Sequence, residues 1–278
     1  MCTLMISGVI MPTMDQIYEN LRTGKPHVSF SEVSCWKECS WRHKLQHIDK
    51  LGEFKYAPAL AFGTVQHEAI EQLVMSGSVN VDDFCVKLTE QWTKHDFERA
   101  FPLATAQQQL RNITSEFKPF MDQTFPDWKH VASEYPLYEA IEKTNHAFKG
   151  FIDLIIEAPG KKNKPLFWIL DLKTTQWGWD RDKKADEITR YQLIYYKNFW
   201  AKKHNVDLKN VRCAFILLKK RGKPGACCES IPVSVGDVTT GRAIKTLHNM
   251  ITSVSKGIAL KNRNACKWCE FKGTEHCP

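Results

Sequence analysis

The chain contains the stretch Leu166-Phe167-Trp168-Ile169-Leu170-Asp171-Leu172-Lys173, an apolar run that ends in an acid and a base two positions apart. The shorter stretch Gly150-Phe151-Ile152-Asp153 precedes it and also ends in an acid. Successive side chains of a strand point to opposite faces, so Asp171 and Lys173 are expected to share one face while Leu172 points into the core. The two stretches therefore predict adjacent strands whose ends bring together two carboxylates and a lysine.

The acid-x-lysine spacing is common in this chain, and its context gives it weight. An acid stands two residues before a lysine seven times, at Glu53, Glu116, Asp127, Asp171, Asp182, Asp207 and Glu270. Only Asp171 closes a continuous apolar run that follows an acid-bearing strand pattern, and residues 159–165 between them read as a hairpin loop. Two such acids hold a hard divalent cation, and a lysine beside them positions a water molecule. The pattern predicts metal-dependent phosphodiester hydrolysis.

The composition predicts a soluble, basic protein with reduced cysteines. The 278 residues are 43% hydrophobic, carry a formal charge of +8 and give a pI of about 8.9. No stretch approaches the roughly 20 apolar residues of a membrane span, and no secretory leader is expected. The positive charge suits a polyanionic partner without requiring one. Ten unevenly spaced cysteines predict a reducing compartment in which some of them bind metal.

The order of patterns along the chain predicts an α/β fold. Helical patterns dominate the first half: a helix from the serine caps near Ser29 to Leu45, a helix capped by Thr64, and two amphipathic helices between 82 and 125. Strand patterns then occur at 131–138, 147–156, 166–173, 212–218 and 228–233, and helical patterns at 186–203 and 236–254. This order predicts a central mixed β-sheet flanked by helices.

No repeat or long linker divides the chain, so we expect a single domain over residues 1–278. Its expected parts are an N-terminal extension (about 1–28), a mainly helical lobe (29–130), a sheet core (131–235) and a C-terminal helix with a cysteine cluster (236–278).

Two further features lie where a metal site needs them. His67 is predicted in the first turn of its helix, from which an imidazole could reach an ion held by the sheet. Gln192 and Tyr196 stand one turn apart on one face of a later helix. From these residues alone, His67 could equally be a surface or core histidine, and Tyr196 could simply pack against the sheet.

Four motifs follow one another in a recognisable order: a histidine on an early helix, a Gly-x-x-Asp strand, an acid-x-Lys strand and a helix with Gln-x-x-x-Tyr. They are His67, Asp153, Asp171 to Lys173, and Gln192 to Tyr196. In this order they resemble the PD-(D/E)XK nuclease superfamily, and within it the RecB-like branch. The resemblance extends from about residue 29 to the C-terminus and implies a restriction-endonuclease-like core.

The resemblance also implies the roles of individual residues. The implied ligands of Mg²⁺ or Mn²⁺ are His67, Asp153, Asp171 and the backbone carbonyl of Leu172. The implied catalytic residues are Asp153, Asp171, Lys173, Gln192 and Tyr196, with Glu134 on the first strand pattern as a further acid.

Cysteines near both ends of the chain extend the resemblance. Cys266, Cys269 and Cys277 lie at the C-terminus, and Cys39 supplies a fourth ligand. This arrangement is similar to that of the iron-sulfur members of the branch: the AddB nuclease domain, the CRISPR-associated RecB-like exonucleases and the exonuclease V group. It implies a [4Fe-4S] cluster that ties the two ends of the domain together.

The cysteine pattern departs from that group in two ways and leaves alternatives open. Ser40 stands where proline often follows the first cysteine, and the last spacing is slightly longer than usual. Zinc at the same cysteines, with Cys35, His43 or His276 as a substitute ligand, and free thiols remain alternatives.

The function that the resemblance implies is a Mg²⁺- or Mn²⁺-dependent DNA exonuclease acting on single-stranded DNA or DNA ends. A structure-specific endonuclease of the same fold and an inactive nucleic-acid-binding subunit are the alternatives. The expected DNA contacts are Trp177, Trp179, Lys183 and Lys184. No phosphate-loop motif suggests a motor, so a recombination or helicase partner is conceivable; analogy suggests the cytoplasm of a prokaryote or of a phage-infected host. The sequence does not predict the oligomeric state.

Overall fold

A six-stranded mixed β-sheet forms the centre of the part of the protein that the structure describes. The structure is a computed structural model describing residues 5–6, 9–10, 26–53, 56–160 and 164–278, so most of the expected N-terminal extension lies outside the described residues. Two short strands, β1 (Met5–Ile6) and β2 (Val9–Ile10), pair with each other. The strands of the main sheet are β3 (His27–Ser29), β4 (Lys129–Ala140), β5 (Ala147–Pro159), β6 (Pro165–Thr175), β7 (Val211–Lys219) and β8 (Cys228–Val233).

The helices begin and end at residues with clear capping preferences. Asp186, for example, accepts hydrogen bonds from the backbone N–H groups of Ile188 and Thr189 at the start of its helix. The helices are α1 (Phe30–Glu38), α2 (Ser40–His43), α3 (Pro58–Ser76), α4 (Val81–His95), α5 (Leu103–Thr124), α6 (Arg181–Ala185), α7 (Glu187–Lys203) and α8 (Asp237–Ser255). None of the helices in the described ranges combines the length and the apolar character that crossing a membrane requires.

The strand β5 has a continuous partner on one edge and two separate partners on the other. β4 pairs antiparallel with it along nearly its whole length. On the other edge, β3 pairs in parallel with residues 147–149, and β6 pairs antiparallel with residues 154–159. Residues 150–153 therefore lie at an opening between these two partners. The sheet continues from β6 to the parallel β7 and then to the antiparallel β8.

Helices cover both faces of the sheet, which gives the protein two hydrophobic cores. Phe215 of β7 belongs to the core under α1, α7 and α8, whereas its neighbour Ile216 belongs to the core under α3, α4 and α5. Burial on both faces explains why β7 reads as an uninterrupted apolar run. The helices between residues 29 and 130 are thus divided between the two faces.

The predicted start of the third helix is wrong. The helix α3 begins at Pro58, because proline is well suited to the first helical position, where its missing N–H costs nothing. Thr64 is an interior residue whose hydroxyl donates to the Leu60 carbonyl at 3.1 Å. His67 therefore lies in the third turn of α3 and not in the first.

The predicted continuous helix from Ser29 to Leu45 is also wrong, because the chain breaks at Cys39. The helix α1 begins as predicted with a serine cap, in which the Ser29 hydroxyl accepts from the Glu32 N–H and Glu32 accepts from the Ser29 N–H. Cys39 then adopts an extended backbone with φ −157° and ψ 107°. A short helix and a π-helical turn, Lys44–Ile48, follow. The break brings Cys39 Sγ within 3.4 Å of the Asn262 backbone nitrogen.

Candidate active site

β5 and β6 separate where each carries an aspartate. Their pairing ends at Leu154 and Leu170, one residue short of Asp153 and Asp171. Asp153 fills the opening, since its Oδ2 accepts a hydrogen bond from the Leu172 N–H at 2.6 Å. A side chain thus replaces a rung of the backbone ladder. The two carboxylates meet inside the sheet, and not at strand ends as the sequence pattern suggests.

A chain of polar contacts links Asp171 to helix α7. Asp171 is fully buried, and Lys173 Nζ lies 2.7 Å from its Oδ2. Lys173 Nζ also donates to Gln192 Oε1 at 3.0 Å, and Gln192 Nε2 donates to the Tyr196 hydroxyl at 3.2 Å. Leu172 points into the opposite core, as the alternation along a strand predicts. The four polar side chains form one continuous network on the α7 face.

The ring of Tyr196 packs directly on the backbone of β5. A Cβ atom at Gly150 would lie 2.6 Å from Tyr196 Cε1 and 3.3 Å from Phe148 Cε1. Only glycine allows α7 to approach so closely. The glycine of the Gly-x-x-Asp stretch therefore sets the distance between α7 and the strand that carries Asp153.

Helix α3 brings a histidine to Asp153. His67 Nδ1 lies 4.0 Å from Asp153 Oδ2, and single ligand atoms of His67, Glu134 and Asp153 all lie within 4.8 Å of one another. Glu134 belongs to β4 and has a left-handed backbone with φ 45°. These side chains line a cavity of about 10 Å³, which suits an ion or a single water molecule. Imidazole and carboxylate donors together fit Mg²⁺ and, better, Mn²⁺.

Sequence reasoning missed Glu71, which lines the same small cavity. Glu71 lies four residues after His67 on α3, and this spacing places both side chains on one helix face. The pairing was readable from the sequence only once the correct face of α3 was known. Burial raises the pKa of Glu134, and the nearby Glu71 and Asp171 carboxylates add to the rise.

The charges at the opening are not balanced. Burial raises the pKa of Asp153 to about 7 and the pKa of Asp171 to about 6, although the Lys173 ammonium opposes the rise. Burial by itself would lower the pKa of Lys173, but attraction to the two carboxylates outweighs it and raises this pKa. Asp171 Oδ1 has no hydrogen-bond partner among the described residues. Buried carboxylates with an unused oxygen fit a divalent cation, which would favour their charged forms.

A comparison of the whole sequence with protein families identifies the group to which these residues belong. The profile of the PD-(D/E)XK nuclease superfamily matches residues 27–277. The chain belongs to this superfamily. The predicted fold class is therefore confirmed: the mixed sheet flanked by helices is a restriction-endonuclease-like core. Membership of a nuclease superfamily supports nuclease activity on a nucleic-acid substrate.

Solved structures give a distant likeness to this PD-(D/E)XK protein. It is similar to a candidate exonuclease from Eubacterium rectale, with a TM-score of 0.56 and 14% identity over 94% of this chain and 92% of that chain. The protein SSO0001 aligns with a TM-score of 0.40 and 10% identity over 92% of this chain and 90% of that one. Curated protein sequences give no significant match. At 14% identity, the first likeness supports the fold alone.

The two tryptophans expected to contact DNA differ in their surroundings. Trp177 is 60% exposed, and the Arg221 guanidinium carbon lies 5.6 Å from its ring centroid. Trp179 packs against Phe215 of the core, with ring centroids 5.0 Å apart. Trp177 is therefore the more accessible stacking surface of the two.

The two lysines expected to contact DNA both have protein partners. Lys183 Nζ donates to the Thr189 hydroxyl at 2.8 Å, and Lys184 Nζ donates to Glu229 Oε1 at 2.8 Å. Contact with a phosphate would have to compete with these interactions.

The four cysteines of the predicted cluster line one cavity of about 340 Å³; they are Cys39, Cys266, Cys269 and Cys277. Within the described ranges, no three of these Sγ atoms lie within 4.8 Å of one another. A tetrahedral zinc site with Zn–S bonds of about 2.3 Å would bring its sulfur atoms to about 3.8 Å. The sulfur atoms are therefore spread more widely than one zinc ion requires. Cys35, His43 and His276 are not part of the lining of this cavity.

Hydrogen bonds join the two cysteine-bearing ends of the chain. The Trp41 N–H donates to the Leu260 carbonyl at 3.0 Å, and the Leu260 N–H donates to Ser40 Oγ at 2.8 Å. Trp41 Nε1 donates to the His276 carbonyl at 3.1 Å. Ser40, which stands where the family often has proline, thus contributes a hydroxyl to this junction.

Proposed function

We propose that the protein is a metal-dependent DNA exonuclease of the RecB-like branch that acts on single-stranded DNA or DNA ends. The observation that carries the proposal is the juxtaposition of two groups at one opening in the sheet. The Asp171–Lys173–Gln192 network lies on one side, and the group of His67, Glu134 and Asp153 on the other. Phosphodiester hydrolysis needs an ion site and a positioned cation beside it, and this opening offers both. The exonuclease assignment of the Eubacterium rectale protein, whose fold is similar, agrees with this choice.

The ion ligands are His67, Asp153, Asp171 and the backbone carbonyl of Leu172, with Glu134 as a further carboxylate. When bound, Mg²⁺ or Mn²⁺ polarises the scissile phosphate and lowers the pKa of a bound water molecule. His67 is held by a hydrogen bond with the Leu172 backbone. An imidazole ligand favours Mn²⁺ over Mg²⁺.

Lys173 acts on the attacking water. Its ammonium orients the water and offsets the negative charge that develops on the phosphorane. Gln192 holds the ammonium in place, and the Tyr196 hydroxyl braces Gln192. Because these groups are already connected, the ammonium needs little reorganisation when the substrate binds. Trp177 offers a face for stacking on an unpaired base.

A [4Fe-4S] cluster held by Cys39, Cys266, Cys269 and Cys277 ties the ends of this single nuclease domain together. Thiolates are the preferred ligands of iron-sulfur clusters, and the wide spread of the sulfur atoms suits a cluster better than a zinc ion. The nuclease works alone or together with a recombination or helicase partner.

The test is cleavage of labelled DNA with Mn²⁺ or Mg²⁺. Asp171→Asn and Lys173→Ala are each expected to lower kcat/KM by on the order of a hundredfold or more, because each removes charge stabilisation from the transition state. The matched controls are Asp207→Asn and Lys209→Ala, which alter an exposed acid-x-lysine look-alike and should retain wild-type activity.

Substrate form separates the competing activities. An exonuclease should degrade linear single strands and leave circular single strands intact, and cutting of the circles would favour an endonuclease. Wild-type-like cleavage by Asp171→Asn would refute the assignment of the site. Binding of DNA without metal-dependent cleavage by the wild-type protein would favour an inactive binding subunit.

A further inference from the structure

Two cavities of very different volume border the candidate site. The cavity beside His67 and Glu134 holds about 10 Å³ and is the size of an ion. The other holds about 520 Å³ and reaches Gln192 and Tyr196 of the Lys173 network. This larger cavity falls within the size range of small-ligand pockets and accommodates on the order of one nucleotide.

Basic side chains line the larger cavity. Lys50 and Lys149 border it together with His27 and His47. Within the described ranges, neither lysine forms an ion pair with an acid. Lys149 lies on β5, the strand that carries Asp153, so its charge lies close to the reaction centre.

The one acid in the lining, Glu32, is already engaged. It accepts a hydrogen bond from the Ser29 N–H at 2.8 Å, and its other carboxylate oxygen lies 3.8 Å from His47 Nδ1. The lining is therefore positive overall, which suits the phosphates of a nucleic acid.

An aromatic ring stands between Lys149 and the candidate metal site. Phe151 is 40% exposed and borders the larger cavity. Lys149, Phe151 and Asp153 are alternate residues of β5, and alternate residues point to the same face of a strand. The spacing from Lys149 to Asp153 is about 13 Å, at roughly 3.3 Å per residue. A basic residue, an exposed ring and a catalytic carboxylate thus follow one line toward the opening in the sheet.

We propose that this cavity binds the single-stranded DNA segment next to the scissile phosphate, with Lys149 contacting a backbone phosphate and Phe151 stacking on an unpaired base. This inference rests on the proposed function and specifies the strand state of its substrate. A paired base cannot offer its face to Phe151, and a cavity of this volume does not admit a duplex.

The experiment measures binding and turnover separately. Binding of a fluorescent single-stranded oligonucleotide and of its duplex is measured in EDTA, and cleavage is measured in Mn²⁺. Lys149→Ala should weaken single-strand binding and reduce the salt dependence of log Kd by about one unit. Phe151→Ala should weaken it by about 5- to 100-fold, whereas Phe151→Trp should retain it. In turnover, KM should rise while kcat stays within about twofold of wild type.

The control variants match the tested side chains in type and exposure. Lys209→Ala removes an exposed lysine elsewhere, and Leu208→Ala truncates an apolar side chain that is 39% exposed, close to the 40% of Phe151. Both controls should bind DNA as the wild type does, and thermal unfolding should show that every variant is folded.

The outcomes distinguish this inference from the proposed function. If the wild type cleaves DNA but Lys149→Ala and Phe151→Ala both bind single strands normally, the subsite is refuted and the nuclease proposal stands. Equal affinity of the wild type for duplex and single strand would also refute it. If the wild type does not cleave but its single-strand binding depends on both residues, the subsite is supported and the nuclease proposal fails.

Discussion

Asp171 concentrates the physical conflict of the site. It is fully buried and ionisable, and Lys173 is the one cation among the described residues that contacts it directly. Burial raises its pKa to about 6, so at neutral pH the folded protein holds a carboxylate that would be more stable in water. The site therefore lowers stability in the absence of a cation and gains it when one binds.

Asp171→Asn should stabilise the metal-free protein above pH 6. The folded pKa of about 6 lies above the ordinary value of 3.8, so this group stabilises the fold at low pH and the contribution is lost as pH rises through about 4 to 6. Asparagine does not titrate, so the difference in unfolding free energy should grow across that window to on the order of 2 kcal/mol. Thermal unfolding in EDTA between pH 4 and pH 8 measures it.

The same variant should lose most of the stabilisation by Mn²⁺. The wild-type melting temperature should rise on addition of Mn²⁺ at pH 8, because the ion binds the folded state through a carboxylate that the variant lacks. An equal rise in both proteins would show that the ion binds elsewhere.

At the scale of elements, the site depends on how closely α7 approaches β5. The Tyr196 ring occupies the space where any side chain at position 150 would begin. Tyr196 in turn supports Gln192, which holds Lys173. A single missing Cβ atom on β5 therefore influences a network on the opposite element.

Gly150→Ala is expected to destabilise the protein by about 1–3 kcal/mol, because the new Cβ would overlap Tyr196 in a packed core. It should also lower kcat, since displacing Tyr196 moves Gln192 and Lys173. Chemical denaturation and steady-state kinetics measure the two effects. The control is Gly241→Ala in α8, where no atom lies within 4 Å of a new Cβ; helix propensity predicts a gain of about 0.5–1 kcal/mol. Unchanged stability of Gly150→Ala would contradict the packing argument.

The element boundaries show what local sequence can predict. The strands β7 and β8 and the helices α7 and α8 lie within about one residue of their predicted bounds, because apolar periodicity and the Asp186 cap define them locally. The start of α3 was wrong because Thr64 looked like a cap, whereas Pro58 begins the helix. The break at Cys39 was missed because its cause is a contact with residues more than 200 positions away.

At the scale of the whole molecule, the chain ends meet at the cysteine cavity. Hydrogen bonds from Ser40 and Trp41 to Leu260 and His276 bring the two ends together without a metal. Arg42 and Glu270 add an ion pair at 3.3 Å. A cluster bound to all four cysteines would close a loop of more than 200 residues, and cross-links of long loops have the largest entropic effect on the unfolded chain.

Protein purified anaerobically should contain iron and acid-labile sulfide in equal amounts, with visible absorption. Cys269→Ala should lose both and melt at a lower temperature, because one ligand of the cross-link is gone. Cys228→Ala, which alters a cysteine outside the cavity, should retain the iron and sulfide. Zinc without sulfide in the wild-type protein would refute the cluster and favour the zinc alternative.

The sequence alone determined the α/β class, the hairpin that carries Asp153 and Asp171, and the superfamily, because these features follow from short-range periodicity and from the order of motifs. Only the tertiary structure decided that the strands separate at the two aspartates and that Glu71 joins His67. It also decided that Lys149 and Phe151 border a nucleotide-sized cavity. The physical reason is that pairing, burial and cavities arise between residues far apart in the chain, and no local pattern encodes those distances.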